Sequence, residues 1–324
     1  MTGAPTTKRP RRHPREWRRD WAAMARQALA FAVLAGVVVV MFRVTSANLH
    51  SRGVHTGFDF LGQPATTPIF NSPLDFRPGV DTFARAFEAG ALNTLKLTAA
   101  CIVSATVTGL LVGVGALARN PLARRLASAY VELMRNVPVL LHVVFWYGLL
   151  IELPPPSEGA NAFLVASNRG LFLLPTVDGL DVRSVLSVSP EFAALLIGIS
   201  LYTAAFIAEI VRAAALAVPA GQLEAAEALG LSRAATLGRV IAPQALRIGI
   251  PPLASEYIGI FKNSTLAVAV AYQDFMAVGE TMLTDTGQAV EIMAIVMLFY
   301  AGVSLAVSAA MHAFEQRQRA WSLA

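Results

Sequence analysis

Residues 95–117 read LKLTAACIVSATVTGLLVGVGAL, twenty-three positions carrying one charge, Lys96. A helix needs about 20 predominantly apolar residues to cross a hydrocarbon core about 30 Å thick, whereas a surface helix of a soluble domain shows a polar face at every turn. The stretch therefore predicts a membrane span. Five more runs follow the same pattern, at residues 28–42, 127–151, 192–217, 248–270 and 292–313. The run at 28–42 is fully apolar but short, and reaches spanning length only by adding 21–27, with Arg26 and Arg43 stretching to the two surfaces. A cleaved signal peptide is its competing reading, with Thr45-Ser46-Ala47 in the place of a cleavage site. The charged leader ahead of it is longer than such signals carry. The expected fold is an all-α, polytopic transmembrane helix bundle of about six spans.

Composition points the same way. Of 324 residues, 55% are hydrophobic and 15% charged, with a mean hydropathy of +0.56, against about 25% charged in soluble domains. A soluble enzyme is thereby set aside. Residues 1–26 hold Lys8, Arg9, Arg11, Arg12, Arg15, Arg18, Arg19 and Arg26 against Glu16 and Asp20, a net +6, while the whole chain carries +5. The basic character belongs to the amino-terminal tail and not to a distributed surface, which argues against nucleic-acid binding and for a tail lying in the cytoplasm against anionic lipid. The single cysteine, Cys101, leaves no intrachain disulfide and no multi-cysteine metal site.

Basic residues set the orientation. Arg119, Arg124 and Arg125 lie between the second and third runs without an acid, and Arg317 and Arg319 follow the last; residues 271–288 hold Asp274, Glu280 and Asp285 and no base. Both termini are thus expected in the cytoplasm. Two long polar connections, 44–91 and 152–190, fall outside. In the first, Val80, Phe83, Ala84 and Phe87 stand at helical spacing and predict an amphipathic helix, either packed on the bundle as a loop helix or lying along the outer surface before the second span.

Several features inside the runs bear on mechanism. Gly109 and Gly113, extended by Ala105, form a small-xxx-small pattern that admits a close neighbour helix. Arg135-Asn136-Val137-Pro138 interrupts the third run, because proline removes a backbone donor and pushes the preceding residue away from helical geometry. Glu132 and Arg135 are spaced to pair on one helix face. His142 reads either as a packed, hydrogen-bonded core residue or as a pathway group. In the fifth run, Pro251-Pro252, Glu256 and Lys262-Asn263-Ser264-Thr265 stand where an uninterrupted span is apolar. A lysine at the centre of a lone helix costs about 2.5–3.5 kcal/mol, so Lys262 is expected to face a cavity or a partner group, and broken helices of this kind build substrate sites in transporters.

Between the fourth and fifth runs comes VPAGQLEAAEALGLS, residues 218–232. Pro219 suits a helix start, Glu224 and Glu227 lie one turn apart, Gly230 suits the left-handed end of a helix, and Ser232 offers a cap for the next one. A short helix, a tight turn and a second helix are expected, which read either as an ordinary cytoplasmic loop or as a knob that enters a groove on a partner.

Glu224-Ala225-Ala226, Gly230 and Val240-Ile241-Ala242-Pro243 resemble the EAA signature of permease subunits of binding-protein-dependent ABC importers, with Val240 and Ala242 where Ile and Leu are usual. Asn93-Thr94-Leu95, Tyr130-Val131-Glu132, Phe145-Trp146-Tyr147, Asn168-Arg169-Gly170, Ala208-Glu209-Ile210-Val211-Arg212, Pro243-Gln244-Ala245-Leu246-Arg247 and Lys262-Asn263-Ser264-Thr265-Leu266-Ala267 are similar to the polar amino-acid uptake permeases, most closely the general L-amino-acid permease subunits. The resemblance implies a type I ABC importer permease (MetI-like) fold in a bacterial inner membrane, moving L-amino acids inward by alternating access.

It also implies that Gly221, Glu224, Ala225, Ala226, Glu227 and Gly230 form a coupling helix docked on a cytoplasmic ATPase subunit. ATP and magnesium are then used by that subunit, with no cofactor on this chain. A second permease subunit, non-identical or identical, and a periplasmic amino-acid-binding protein complete the expected assembly. Arg135, His142, Glu256, Lys262, Asn263, Ser264 and Thr265 are the expected pathway residues. The chain divides accordingly into a basic tail (1–27), an extra span (28–43), an external loop (44–91), a permease core (92–315) with its coupling loop (218–247), and a short cytoplasmic tail (316–324). His142 stands where such permeases often have Gln, and Ser255-Glu256 where a neutral polar pair is usual, so substrate preference is open to difference. Two other functions stand beside it: a membrane enzyme, against which the sequence shows no Ser, His and Asp cluster, no His-Glu-x-x-His and no Walker lysine motif, and a passive channel or scaffold, which needs no docking loop.

Overall fold

The structure, a computed structural model, describes residues 14–51, 57–156, 163–178 and 181–321. Two compact units divide the chain, residues 1–57 and 58–324. In the first, α1 (Pro14–Ser51) is one helix, and its apolar stretch Met24–Met41 is long enough to cross a membrane. Lys8, Arg9, Arg11 and Arg12 of the basic tail lie outside the described residues.

The second unit opens with a segment packed around Phe60 and then enters α2 (Phe83–Ala116), whose cap is Thr82, its hydroxyl accepting from the Arg85 backbone N–H at 3.4 Å. Among the described residues no separate amphipathic helix lies ahead of the span. Val80 is exposed in the preceding turn, while Phe83 and Phe87 are the first turns of α2 and pack with Phe60, Phe275 and Met282. Apolar spacing at 80–87 simply continues into the run at 95–117, so one helix of 34 residues forms, longer than a bilayer requires.

The run at 127–151 is two helices, α3 (Pro121–Asn136) and α4 (Val139–Ile151), bent by 99°. Val137 is extended, φ −100° and ψ 129°, the conformation forced on a residue before proline. Connection 152–190 folds as strands: β1 (Leu164–Ser167), β2 (Gly170–Leu173), β3 (Thr176–Asp178), β4 (Asp181–Arg183) and β5 (Leu186–Val188). One antiparallel sheet has the order β1-β2-β5, and β3 pairs with β4. The fold is the expected helical bundle, with a small strand insertion in this connection.

Helix α5 (Pro190–Leu216) is the centre of this unit, its first turn capped by Ser189. It packs along α2, α3, α4 and α8, and Leu195, Ile199 and Ile207 are fully buried there with Leu97, Cys101 and Val143. Two glycines of α2 set the closeness of the α2–α5 contact. A Cβ at Gly109 would stand 2.6 Å from the Ile207 Cβ, and one at Gly113 would stand 2.8 Å from the Val211 Cβ, so any larger residue must push the helices apart.

Beyond α5 come α6 (Ala220–Ala228), α7 (Arg233–Thr236) and, after one wide helical turn, α8 (Ala242–Asn263). A tight 3-10 stretch, Ser264–Val270, then ends at Ala271 in the left-handed conformation, φ 57°. Short α9 (Phe275–Thr286) and long α10 (Ala289–Trp321) close the chain. The run at 248–270 is thus divided at Asn263, and α8 begins earlier, with Pro251 and Pro252 in its interior. Among the described residues four helices are long and apolar enough to cross a membrane, five when the bent α3–α4 pair counts as one. Helix α8, carrying Arg247, Glu256 and Lys262, is too polar to join them by that measure, which accounts for the difference from the six runs of the sequence.

Candidate coupling surface and translocation cavity

Helix α6 has nine residues, and Ala226 is its one buried side chain. The Leu231 N–H donates to the Ala226 carbonyl at 3.1 Å and the Gly230 N–H to the Glu227 carbonyl at 3.0 Å, the paired bonds of a Schellman ending, with Gly230 at φ +69°. Pro219 is the N-cap rather than the first helical residue. Ser232 Oγ then accepts from the Ala235 N–H at 3.3 Å and starts α7. Gly221, Glu224, Ala225, Glu227 and Leu229 are exposed, Leu229 at 80%. Neither Glu224 nor Glu227 forms an ion pair among the described residues. Behind the helix lies a cavity of about 500 Å³ lined by Leu117, Leu216, Leu223, Leu237 and Ile241. A nine-residue helix that buries almost nothing gains little from its own protein; it leaves two carboxylates exposed, with Leu229 beside them at its end.

A second cavity, about 360 Å³, lies between α3 and α5 and is lined by Arg124, Glu132, Arg135, Glu209 and Arg212 among others. Arg212 Nε donates to Glu209 Oε2 at 3.1 Å, with a second contact from its terminal nitrogen. Arg135 stands over the Phe206 ring at 5.0 Å, a cation–π arrangement. Glu132 and Arg135 do not pair with each other among the described residues. The site offers three guanidinium groups and two carboxylates, chemistry suited to charged ends of a small solute. The residues that share this cavity with Arg135 were present in the sequence as Glu209 and Arg212, an i,i+3 pair of opposite charge inside an apolar run.

Of the expected pathway residues, Arg135 alone lines this cavity. His142 is buried between α4 and α5, with Nε2 3.3 Å from the Met134 carbonyl and its ring 6.0 Å from that of Tyr202. Glu256 is half-buried on α8. Ser264 and Thr265 give their hydroxyl hydrogens to the carbonyls of Phe261 and Lys262, 2.8 Å each, where α8 tightens. Asn263 is the last residue of α8, and the Lys262 side chain is exposed with no ion pair among the described residues.

At the opposite end of the unit, Asn93 Nδ2 donates to the carbonyls of Gln273 at 2.8 Å and Phe70 at 3.3 Å. Thr94 Oγ1 accepts from the Phe275 N–H at 2.9 Å. Asp274 caps α9 by accepting from the Ala277 N–H at 2.9 Å. Burial pushes its carboxyl up to about 6, against the Ala277 N–H and the Tyr300 hydroxyl, which hold it down.

Residues 105–320 match the family described as "Binding-protein-dependent transport system inner membrane component". The permease protein YhdX of Escherichia coli (strain K12) is 36% identical over 90% of this chain and 92% of its own length. The general L-amino acid transport system permease protein AapQ of Rhizobium johnstonii is 34% identical over 90% of each. Among solved structures, a crystal structure of an amino acid ABC transporter with histidines superposes with a TM-score of 0.58 at 25% identity, over 72% of this chain and 95% of that one. An inward-facing MetNI methionine ABC transporter shares the fold at a TM-score of 0.55 and 20% identity, over 72% and 96%.

Proposed function

The chain belongs to the family of inner membrane components of binding-protein-dependent transport systems, and we propose that it is the permease subunit through which an ABC importer carries L-amino acids into the cytoplasm. It is a multi-pass inner-membrane protein and a transport subunit, and its family works with a separate ATPase and a substrate-binding protein. The amino-acid cargo is supported by AapQ, whose own name gives general L-amino acid transport.

The observation that carries the coupling role is α6, an exposed helix of nine residues held between Pro219 and a left-handed Gly230. In this reading Gly221, Glu224, Ala225 and Glu227 present to the ATPase while Ala226 packs beneath them; ATP and magnesium on that subunit drive closure, and the helix passes that movement to α5 and α8. Arg135, Glu209 and Arg212 stand along the inward route, with Glu256 and Lys262 on α8. Both termini and α6 lie in the cytoplasm, as the basic residues around α3 and at the end of α10 support. A second permease subunit, non-identical in this reading, completes the pathway.

Affinity purification of the tagged protein in mild detergent, followed by vesicle uptake of labelled amino acids, tests this. An ATPase and a second permease are expected to co-purify, with uptake that needs ATP and the binding protein. Recovery of this chain alone, with flux independent of ATP, would make it a passive channel.

A further inference from the structure

Three polar side chains, Glu227, Arg233 and Thr236, line the cavity of about 500 Å³ behind α6 together with its leucines. The volume falls in the range of about 300–1,000 Å³ of small-molecule sites, whose usual chemistry is an apolar wall with a few converging polar groups. On α6, Ala220, Leu223 and Glu227 stand at i, i+3 and i+7 and share the face that lines the cavity, while Gly221, Glu224 and Ala225 do not line it. The other walls are Leu117 just past α2, Leu216 at the end of α5, and Leu237 and Ile241 of the wide turn that leads into α8.

Arg233 opens α7, across the Gly230 turn from Glu227, and neither side chain forms an ion pair among the described residues. Thr236 is buried, and its hydroxyl donates to the Ser232 carbonyl at 3.1 Å, so its remaining capacity is as an acceptor. One carboxylate, one guanidinium and one hydroxyl acceptor around an apolar wall match a small zwitterion. Its ammonium meets Glu227 and Thr236, its carboxylate meets the fork of Arg233, and the leucines take an apolar side chain out of water. A solute with a single charge uses only half of that recognition.

We propose that this cavity binds an α-amino acid with an apolar side chain from the cytoplasm, and that the bound solute slows the importer. The proposal rests on the coupling role given to α6 and goes beyond it. An occupant stands between α6 and the ends of α2 and α5 and the turn into α8, so it resists movement of α6 toward the spans. It also engages Glu227, a carboxylate otherwise offered to the ATPase. Accumulated product thereby restrains the route that delivered it.

The test uses the whole importer, with its ATPase, in vesicles loaded with ATP and with photo-leucine, an amino acid with a diazirine side chain. Irradiation is expected to label peptides within residues 215–241, with competition by leucine but not by leucinamide, which lacks the carboxylate, or by 4-methylpentanoate, which lacks the ammonium. Arg233→Gln is expected to cut labelling about tenfold, the loss of one charge-assisted contact, and Arg233→Lys to retain most of it. With leucine inside the vesicles instead, uptake of a labelled amino acid is expected to fall severalfold, and Arg233→Gln to remove that fall when each protein is compared with itself. Equal suppression by all three competitors, labelling confined to the cavity between α3 and α5, or no fall in uptake overturns the proposal, as does a fall that Arg233→Gln leaves unchanged. Labelling that appears only after the ATPase is stripped away overturns it too, making the cavity part of the docking face. ATP-dependent uptake with no leucine inside checks the importer reading separately.

Discussion

Tyr300, well inside α10, donates its hydroxyl hydrogen to Asp274 Oδ2 across 2.9 Å, while Oδ1 of the same carboxylate caps α9. One buried side chain thus ties the last span to the turn that ends the 3-10 stretch. Because burial raises the Asp274 carboxyl to about 6, the folded protein holds this proton more tightly than the unfolded chain, in which an aspartate titrates near 3.9. The sign follows: the contribution is full below about pH 4 and is lost as pH rises through about 6. Asp274→Asn keeps the cap and removes the titration. Its melting temperature in detergent, relative to the parent protein, is expected to rise between about pH 4 and pH 7 and then level off; a difference independent of pH would contradict the assignment. Asp274→Ala, which loses the cap, is expected to be less stable throughout, by about 1 kcal/mol.

The α2–α5 contact gives a second prediction. Gly109→Leu places a branched side chain where a Cβ already meets Ile207 at 2.6 Å, and overpacking of this kind costs about 1–3 kcal/mol. Reduced yield of folded protein and a lower melting temperature are expected, whereas Gly148→Leu, where a Cβ meets nothing within 4 Å, is expected to leave both unchanged. Equal stability of the two variants would show that the helices yield at Gly109.

In the cavity between α3 and α5, the Glu209–Arg212 pair is more than a third exposed on both sides. Pairs so placed contribute about 0–1 kcal/mol to stability, so Arg212→Ala is expected to shift the melting temperature little while lowering uptake. A variant that loses stability and uptake in proportion would return the pair to a structural role.

Lys262→Ala is expected to lower transport without preventing assembly, because the side chain is exposed and unpaired among the described residues. Unchanged uptake kinetics would remove Lys262 from the pathway.

Most of this architecture is legible in the sequence because a bilayer imposes a length and polarity on each span that few other contexts require. The break at Val137-Pro138 and the end of α6 at Gly230 are also legible, since each rests on one residue with a restricted or permissive backbone. The strands at 164–188 are not. Each is three or four residues long, and the hairpin depends on Gly170 at φ +132° beneath the Val188 carbonyl, a fit visible only in three dimensions. The early start of α2 was hidden because Phe83 and Phe87 face Phe275 and Met282 from distant segments. Glu209 and Arg212 were readable as a charged pair within an apolar run, but their proximity to Arg135 depends on the 99° turn between α3 and α4.

The most direct measurement concerns α6. Glu224 is exposed on a helix that buries only Ala226, so Glu224→Lys leaves the fold of this chain intact while reversing the charge offered to the ATPase. The account predicts normal membrane insertion and normal recovery of the second permease, with ATPase co-purification and ATP-driven uptake both lost. Full uptake by this variant would contradict the coupling role of the helix.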